Sequence, residues 1–569
     1  MAPTTTLTDV LVCGAGPVGL VIALGLAQQG VNTMIIEKRV RNEQELYGRA
    51  CTLYARTLEL LEQVHVTDEM LQVGFVGRAG TTFKGGKRIT GRGWQAIFPA
   101  MASSFHNYIL NITQKTSEAI FSAKYQAEGH KVHYSWEIVD YSIDTSLRDG
   151  YNITATLSHP SQGTRLVRCK YLVGADGGQS TVRRLADIAM EGDETAQKWI
   201  RIDGKMKTDM PDADLGGGAI ESESHGNVLW IKLERDTYRV GFALTPELHE
   251  KYPDGITQQQ AVEEASNAMY PFQLEIERLD WWTSYRIKQK VAAEFQKHEY
   301  ILLAGDAAHT HSSGFAQGMN TGVHDATNLI WKLAGVIKGW YKPEVLATYA
   351  TERRAVAQKL INIDKLAAAT ISGNIPPVYG NSNADPSEVL RDILQQNIAF
   401  TVGLGVQYAQ SLISKNPVAT CLVAGSRAPD VLLRTPGPSL PVRLQSILNS
   451  ESKGRWSLLI FVGHHVNKKA QIASLREGLT AEGSIFAKRG YLLNMATIMA
   501  GAIGGAWAAF DGPAIGKLYF DLDSSAHDLY GISCGTGGIV LTRPDGVFAF
   551  GVGLSELALV DEFLDGVCA

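Results

Sequence analysis

Residues 9–39 read DVLVCGAGPVGLVIALGLAQQGVNTMIIEKR, and the order of residue types in them decides the fold. Val10 to Cys13 is a short continuous apolar run, the pattern of a parallel strand buried on both faces. Gly14, Gly16 and Gly19 follow with GxGxxG spacing. The first permits a tight turn, the second lets a pyrophosphate approach the backbone, and the third lets a helix lie close on the strand. A phosphate there meets unpaired N–H groups and the positive end of the helix dipole. Thr33 to Ile36 forms a second apolar run that ends at Glu37, 18 residues beyond Gly19. A carboxylate at that place can accept hydrogen bonds from both ribose hydroxyls of an adenosine and repels a 2′-phosphate, which favours FAD or NAD over NADP. Lys38 belongs to the same end of the site. The plainer reading, a glycine turn that binds nothing, does not account for strand, helix, second strand and acid falling in order.

Working outward, the chain of 569 residues is too long for one ordinary hydrophobic core, so two or more packed units are expected. With 45% hydrophobic and 20% charged residues it belongs among folded globular proteins. A formal net charge of −5 and the lack of a basic stripe argue against nucleic acid as a partner. The six cysteines lack CxxC or paired spacing, so neither a disulfide scaffold nor a metal site is expected. The start, MAPTTTLTDV, has no basic segment followed by an apolar one, and a cytoplasmic location is expected. The apolar stretches 10–27 and 492–510 are glycine-rich and read as buried structure rather than membrane spans. Two NIT sequons, at Asn111 and Asn152, matter only in a secreted protein.

A second informative stretch is ILLAGDAAHTHSSGFAQGMNTGVHDATNLIWKLAG, residues 301–335. Ile301 to Ala304 reads as a buried strand with Asp306 at its carboxyl end, where open α/β sheets bind ligands. From Val323 the apolar residues 323, 326, 330, 333 and 337 mark one face of a helix. Its entry offers small residues and backbone N–H groups at Gly318, Met319 and Asn320. Asp306 can hold a ribityl hydroxyl, and the N–H groups can face the pyrimidine edge of a flavin. NAD has no ribityl chain, so this segment selects FAD. A helix-capping acid is the plainer reading of Asp306. His309 and His311, in a loop, could suggest a metal, but no further ligand cluster accompanies them.

The same stretch closely resembles the second FAD motif of the single-component flavoprotein aromatic hydroxylases, the group of 4-hydroxybenzoate hydroxylase and phenol 2-monooxygenase. GRACTLYARTLELLEQV, from Gly48, is similar to that family's GRA-x-RTLELL helix, and the resemblance puts Arg49 near the flavin. NYILNITQKTSEAIF resembles the segment whose glutamine, here Gln114, reaches the flavin. YLVGADGGQSTVRRLADI resembles its Asp-Gly motif and places Asp176, Gly177, Ser180 and Arg183 beside the cofactor. GSRAPDVLL, RWSLLIFVG and GGIVLTRPDGVFAF, near the C-terminus, look like the thioredoxin-like domain of the phenol hydroxylase branch. Without CxxC that domain cannot run dithiol exchange, and packing or dimerisation is its expected role.

The resemblance implies an α/β fold in which a Rossmann-type FAD-binding domain (1–75, 107–200 and 295–370) is interleaved with a β-sheet substrate domain (76–106 and 201–294). A linker with helices (371–424) and a thioredoxin-like domain (425–569) follow. It also implies that NAD(P)H reduces FAD, that O2 forms a C4a-hydroperoxide on it, and that oxygen passes to an electron-rich ring, in a homodimeric enzyme. The protein must then exclude water, hold the ring and take a phenolic proton. Tyr285, in the strand LDWWTSYRIKQKVA, is the leading candidate for that proton, a core tyrosine being its plain alternative. His225 is a second candidate as base, and Arg49 a third catalytic one through an anionic substrate or nicotinamide phosphates. Trp94, Phe98, Phe105, Trp230, Trp281 and Trp282 are available as pocket aromatics. NVLWIKLERDTYRVGFAL, residues 227–244, reads as a β-hairpin, and residues 371–389 as a Gly/Pro/Asn-rich loop.

Three positions depart from the family pattern. Cys51 stands where the phenol hydroxylases have an active-site aspartate, and Ser313 and Ala316 replace the proline and glycine of the P-x-x-G-Q-G loop. A larger phenolic or polyketide-like substrate is therefore expected rather than phenol. A Baeyer–Villiger or epoxidising oxygenase, or a protein in which FAD is structural and the pocket binds or cyclises a ligand, are the other readings.

Overall fold

The computed structural model describes residues 5–44, 50–380, 384–451, 453–464, 468–501, 510 and 512–569. Its first sheet grows around the opening motif. The strand Thr6–Cys13, buried from Val10 to Cys13, pairs in parallel with Thr33–Glu37 on one side and Gly163–Gly174 on the other. Val132–Tyr134 extends one edge, and Ile301–Leu303 with Gln296–Lys297 extends the other. An antiparallel pair, Glu137–Ile143 and Ile153–His159, hangs from Gly163–Gly174. Helices Pro17–Gln28 and Gln317–Ile337 cross one another close on this sheet. The crossing is tight because Gly25 has no side chain: a Cβ there would lie 2.6 Å from Ile330 Cδ1.

The second sheet has eight strands and is mostly antiparallel, with the order His309–Thr310, Leu274–Ala292, Met190–Thr208, Tyr238–Ala243, Gly226–Lys232, Gly216–Ser222, Ala79–Lys84, Lys87–Arg88. The hairpin read in residues 227–244 is its pair Gly226–Lys232 and Tyr238–Ala243. Pairing of His309 with Val291 gives the histidine segment a short strand rather than a loop, which ties the Asp306 turn to the second sheet. Strands of the two sheets alternate along the chain, so neither sheet is one continuous stretch of sequence.

The C-terminal third builds a seven-stranded mixed sheet. Lys517–Asp521, Leu493–Ala500 and Trp456–Gly463 run parallel, and Gly538–Thr542 and Phe548–Val552 continue antiparallel. The architecture as a whole is mixed α/β. Among the described residues no helix is long and apolar enough to cross a membrane. The stretch 10–27 is a strand and a helix of the first sheet layer, and the described part of 492–510 begins with strand Leu493–Ala500.

Candidate active site

Between the first two sheets lies a cleft of about 730 Å³. At one end, Thr6–Cys13 turns at Gly14, whose φ of +101° suits glycine and whose Cβ would meet the Ala175 carbonyl oxygen at 2.3 Å. Gly16 caps helix Pro17–Gln28 in extended conformation with no side-chain hydrogen bond, so the first N–H groups face the cleft unclaimed by a capping side chain. Glu37 is buried, and its carboxylate accepts from Ala15 N and Arg39 N, each at 3.0 Å. It braces the glycine turn as well as walling the cleft.

Further along, Asp176 Oδ2 accepts from Thr181 N at 2.6 Å and Val182 N at 3.1 Å, holding the turn into helix Thr181–Leu185. Arg183 donates to Ala307 O at 2.9 Å and Gly178 O at 3.0 Å, fastening the Asp176 turn to the Asp306 turn. Asp306 itself is exposed to the cleft in the short helical turn Gly305–Ala307. Gln114 accepts from Ala50 N at 3.3 Å and donates to Glu118 at 2.8 Å. Gly318 and Met319, in the first turn of helix Gln317–Ile337, close this end.

Eleven residues expected at the cofactor or as catalytic groups thus line one cavity: Gly14, Gly16, Glu37, Lys38, Gln114, Asp176, Gly177, Tyr285, Asp306, Gly318 and Met319. Gly19 sits behind it, where a Cβ would lie 1.9 Å from the Gly14 carbonyl oxygen. Asn320 is buried behind it too. Its amide accepts from Tyr54 N and Thr57 Oγ1 and donates to Thr52 O and Ala316 O, so it ties the helix entry to the preceding segment rather than presenting a side chain to the cleft. Arg49 lies outside the described residues. His225 is not brought to the cleft. It is buried on the face packed against helix Gln258–Ala268, with Nε2 3.1 Å from Glu264 and Nδ1 2.8 Å from Ser224 Oγ, and burial pushes its pKa down.

The far end of the cleft is roofed by the second sheet, and strand alternation decides which side chains face it. Trp199, Arg201 and Asp203 share one face of Met190–Thr208, opposite Tyr285 on one neighbour and Gly241 and Arg239 on the other. Arg239 grips Asp203 with two parallel bonds, Nε to Oδ1 at 2.6 Å and Nη2 to Oδ2 at 2.7 Å. Tyr285 Oη is hydrogen-bonded to Ser313 Oγ, which also accepts from Arg201 Nη2 at 2.9 Å. Cys51 joins this wall, its thiol pKa pushed up by burial. A smaller chamber of about 110 Å³ shares Trp94, Arg201 and Leu229 with the cleft and is walled mainly by apolar groups such as Trp199, Ile371 and Leu394, with Arg92, Glu221 and Arg391 also on its lining. Of the pocket aromatics only Trp94 lines either cavity; Trp230 is core and Phe105 is 40% exposed.

The residues fit a flavin dinucleotide. Thr310 Oγ1 and His311 Nε2 are buried, have no hydrogen-bond partner, and belong to residues lining the cleft beside Asp306, so a polar ligand is needed to satisfy them. Among the described residues no group of three His, Cys, Asp or Glu could hold a metal. The sequence did not single out Arg201, Asp203 or Arg239, and it marked Ser313 only as a missing proline.

A glycine-turn strand, an acid at the second strand and a second acidic turn on one cleft define an FAD-binding α/β protein. Residues 7–364 match the family model described as FAD binding domain, more than half the chain. The 3-hydroxybenzoate 4-monooxygenase of Comamonas testosteroni is 31% identical over 488 residues, covering 80% of this chain and 74% of that one. The chain belongs to the FAD-dependent aromatic monooxygenases. Two solved structures share the fold. The flavin-dependent monooxygenase PieE, in complex with FAD and substrate, has a TM-score of 0.75 at 18% identity and covers 99% of this chain and 100% of that one. Aklavinone-11 hydroxylase, in a ternary complex with FAD and aklavinone, has a TM-score of 0.72 at 21% identity and covers 98% of both chains.

Proposed function

We propose that this FAD-dependent monooxygenase uses NAD(P)H and O2 to hydroxylate a phenolic or polyketide-like aromatic ring. The observation that carries the reading is a single cleft: the groups suited to FAD line its length, and Tyr285, Ser313 and Arg201 form a hydrogen-bonded wall where a ring would meet the flavin end. Relatives named for 3-hydroxybenzoate and for aklavinone support aromatic substrates of different size.

Glu37, Asp176 and Asp306 would hold the dinucleotide at its adenosine, central and ribityl parts, and the entry of helix Gln317–Ile337 would face the flavin ring. Bound FAD supplies the acceptor for the nicotinamide hydride and the activation of O2. The chain's own work lies at the second sheet. Tyr285 Oη receives a hydrogen bond from the substrate hydroxyl and passes its own to Ser313 Oγ, so the ring is oriented and made more nucleophilic. The apolar chamber behind excludes water from that ring. Cys51, a neutral thiol, packs rather than titrates.

We extend the proposal to organisation. The first sheet and its helices form the FAD unit, the second sheet the substrate unit, with strand Met190–Thr208 wholly in the latter. The strand order and directions of the C-terminal sheet support a thioredoxin-like unit, and with no CxxC its role is packing, in a cytoplasmic homodimer.

Incubation with NAD(P)H, labelled O2 and a panel of phenols and polycyclic phenols tests the reading. Label in a new aromatic hydroxyl is expected. Label in an ester or epoxide, or turnover without flavin reduction, would overturn it.

A further inference from the structure

Arg201 carries a buried positive charge that no carboxylate among the described residues pairs. The residue is 6% exposed, and its guanidinium makes two hydrogen bonds to the protein, Nη1 to Ile200 O at 2.8 Å and Nη2 to Ser313 Oγ at 2.9 Å, both to uncharged acceptors. A guanidinium has five N–H donors, so most of its capacity remains. Among the described residues no carboxylate forms an ion pair with it. The nearest candidate, Asp203, gives both oxygens to Arg239 in a forked pair. Tyr285, Cys51 and Ser313 beside it are not carboxylates, and Glu221, on the lining of the same chamber, is paired with Arg92. Two guanidiniums and one carboxylate leave this wall one positive charge in excess.

The side chain is also given a built place. Gly241 is its cross-strand partner, and a Cβ there would lie 2.5 Å from Arg201 Cδ and 2.7 Å from Nη1, so the stem lies where any other residue would block it. The Trp199 ring flanks the guanidinium, 5.0 Å from ring centre to Cζ. Arg201 lines both the cofactor cleft and the apolar chamber, at the junction of the two. An unpaired buried cation is costly, and burial lowers its pKa accordingly. A cost of that kind in a prepared slot is explained by an anion that arrives with the ligand.

Resting on the proposed hydroxylation, we propose that Arg201 is the anion receptor of the substrate chamber, and that the aromatic substrate is taken with an ionised oxygen, a ring carboxylate or a phenolate, against it. The two sources share one chemistry, an oxyanion on an aromatic ring. Planar guanidinium to planar oxyanion is the pairing that a fixed arginine favours.

The test titrates FAD-loaded enzyme with matched probes and follows the visible spectrum of the flavin: 3-hydroxybenzoate against its methyl ester, and 4-nitrophenol against 4-nitroanisole. In the native enzyme the charged member of at least one pair binds about tenfold tighter or more, and the pair that shows it names the source. Arg201→Met cancels the preference, and Arg201→Lys keeps part of it. Because Arg201→Met removes an uncompensated buried charge, the variant folds at least as stably as the native chain, so loss of the preference is separable from loss of structure. Equal binding of charged and neutral probes, or a preference that survives in Arg201→Met, overturns the receptor alone. Failure of all four probes to perturb the flavin or to stimulate NAD(P)H oxidation counts against the proposed hydroxylation and the receptor together.

Discussion

Ser313 stands where the resembling family carries proline, and its hydroxyl turns that departure into a connection. It bonds both Tyr285 Oη and Arg201 Nη2, which a proline ring could not do. Tyr285→Phe removes only the far hydroxyl of this chain, so FAD content and substrate KM stay near native while kcat falls on the order of 100-fold. Product formation under saturating NAD(P)H checks this, and an unchanged kcat would leave the tyrosine as packing. Ala316, the other departure in this loop, adopts φ 53° and ψ 33° at the helix entry. A left-handed alanine costs roughly 1–2 kcal/mol, and glycine returns about 0.4–1 kcal/mol of that through the unfolded chain. Ala316→Gly should therefore raise the unfolding free energy by roughly 0.5–1 kcal/mol in urea titrations of the holoenzyme. Residues whose partners are local were legible in the sequence. Glu37 answers to the turn 22 residues before it and Asp306 to its own strand end. Arg201 was not legible, because its slot depends on Gly241, 40 residues away, and on the register that sets the two opposite one another. His225 looked available for the converse reason: a histidine near a turn gives no sign that Glu264 on a later helix will claim it.

At the level of elements, the cofactor cradle is two helices laid against one sheet with no room to spare. The sequence announced both helices through their glycines and their apolar period. It could not announce that the entry of the second would be pinned by Asn320 to Tyr54 and Thr52, since that contact joins segments some 266 residues apart. The most sensitive point is Gly19. A Cβ there would sit 1.9 Å from the Gly14 carbonyl oxygen, a backbone atom that cannot rotate away. Gly19→Ala must push helix Pro17–Gln28 off the strand and open the turn that would receive the pyrophosphate. The expected result is a protein that folds but retains FAD at least tenfold more weakly, a loss of about 1.4 kcal/mol or more, measured by fluorescence of released flavin. Gly30, by contrast, has open space around its absent side chain and is not part of this constraint.

For the whole molecule, the C-terminal third is joined to the FAD half by charges buried in the seam. Glu352, on the long helix Pro343–Ile371, accepts from both arms of Arg543 at 2.6 and 3.0 Å and from Lys332 Nζ at 2.8 Å. Arg543 also holds Asp545, whose backbone carbonyl accepts from Arg56 at 2.7 Å. Arg427 clasps Glu59 at 2.6 and 2.8 Å. Burial alone would raise the Glu59 and Glu352 carboxyls, but the arginines outweigh it and hold both at about 2. An unfolded glutamate titrates near about 4.3. These carboxylates therefore contribute stability that is complete above roughly pH 4.3 and is lost as pH falls toward about 2. Arg543→Met leaves Glu352 and Asp545 without their main counter-charge and should cost roughly 3–5 kcal/mol in chemical denaturation. With that stability already gone at neutral pH, less acid is needed to unfold the chain, so acid unfolding, followed by circular dichroism, should begin at a higher pH than in the native chain. Glu352, without most of its downward shift, adds little to the slope. If the variant lost stability at neutral pH while its acid transition stayed in place, the seam would be held by packing around Trp331 and Trp456 rather than by the ion network. The two measurements together decide which force keeps the C-terminal third on the flavin half.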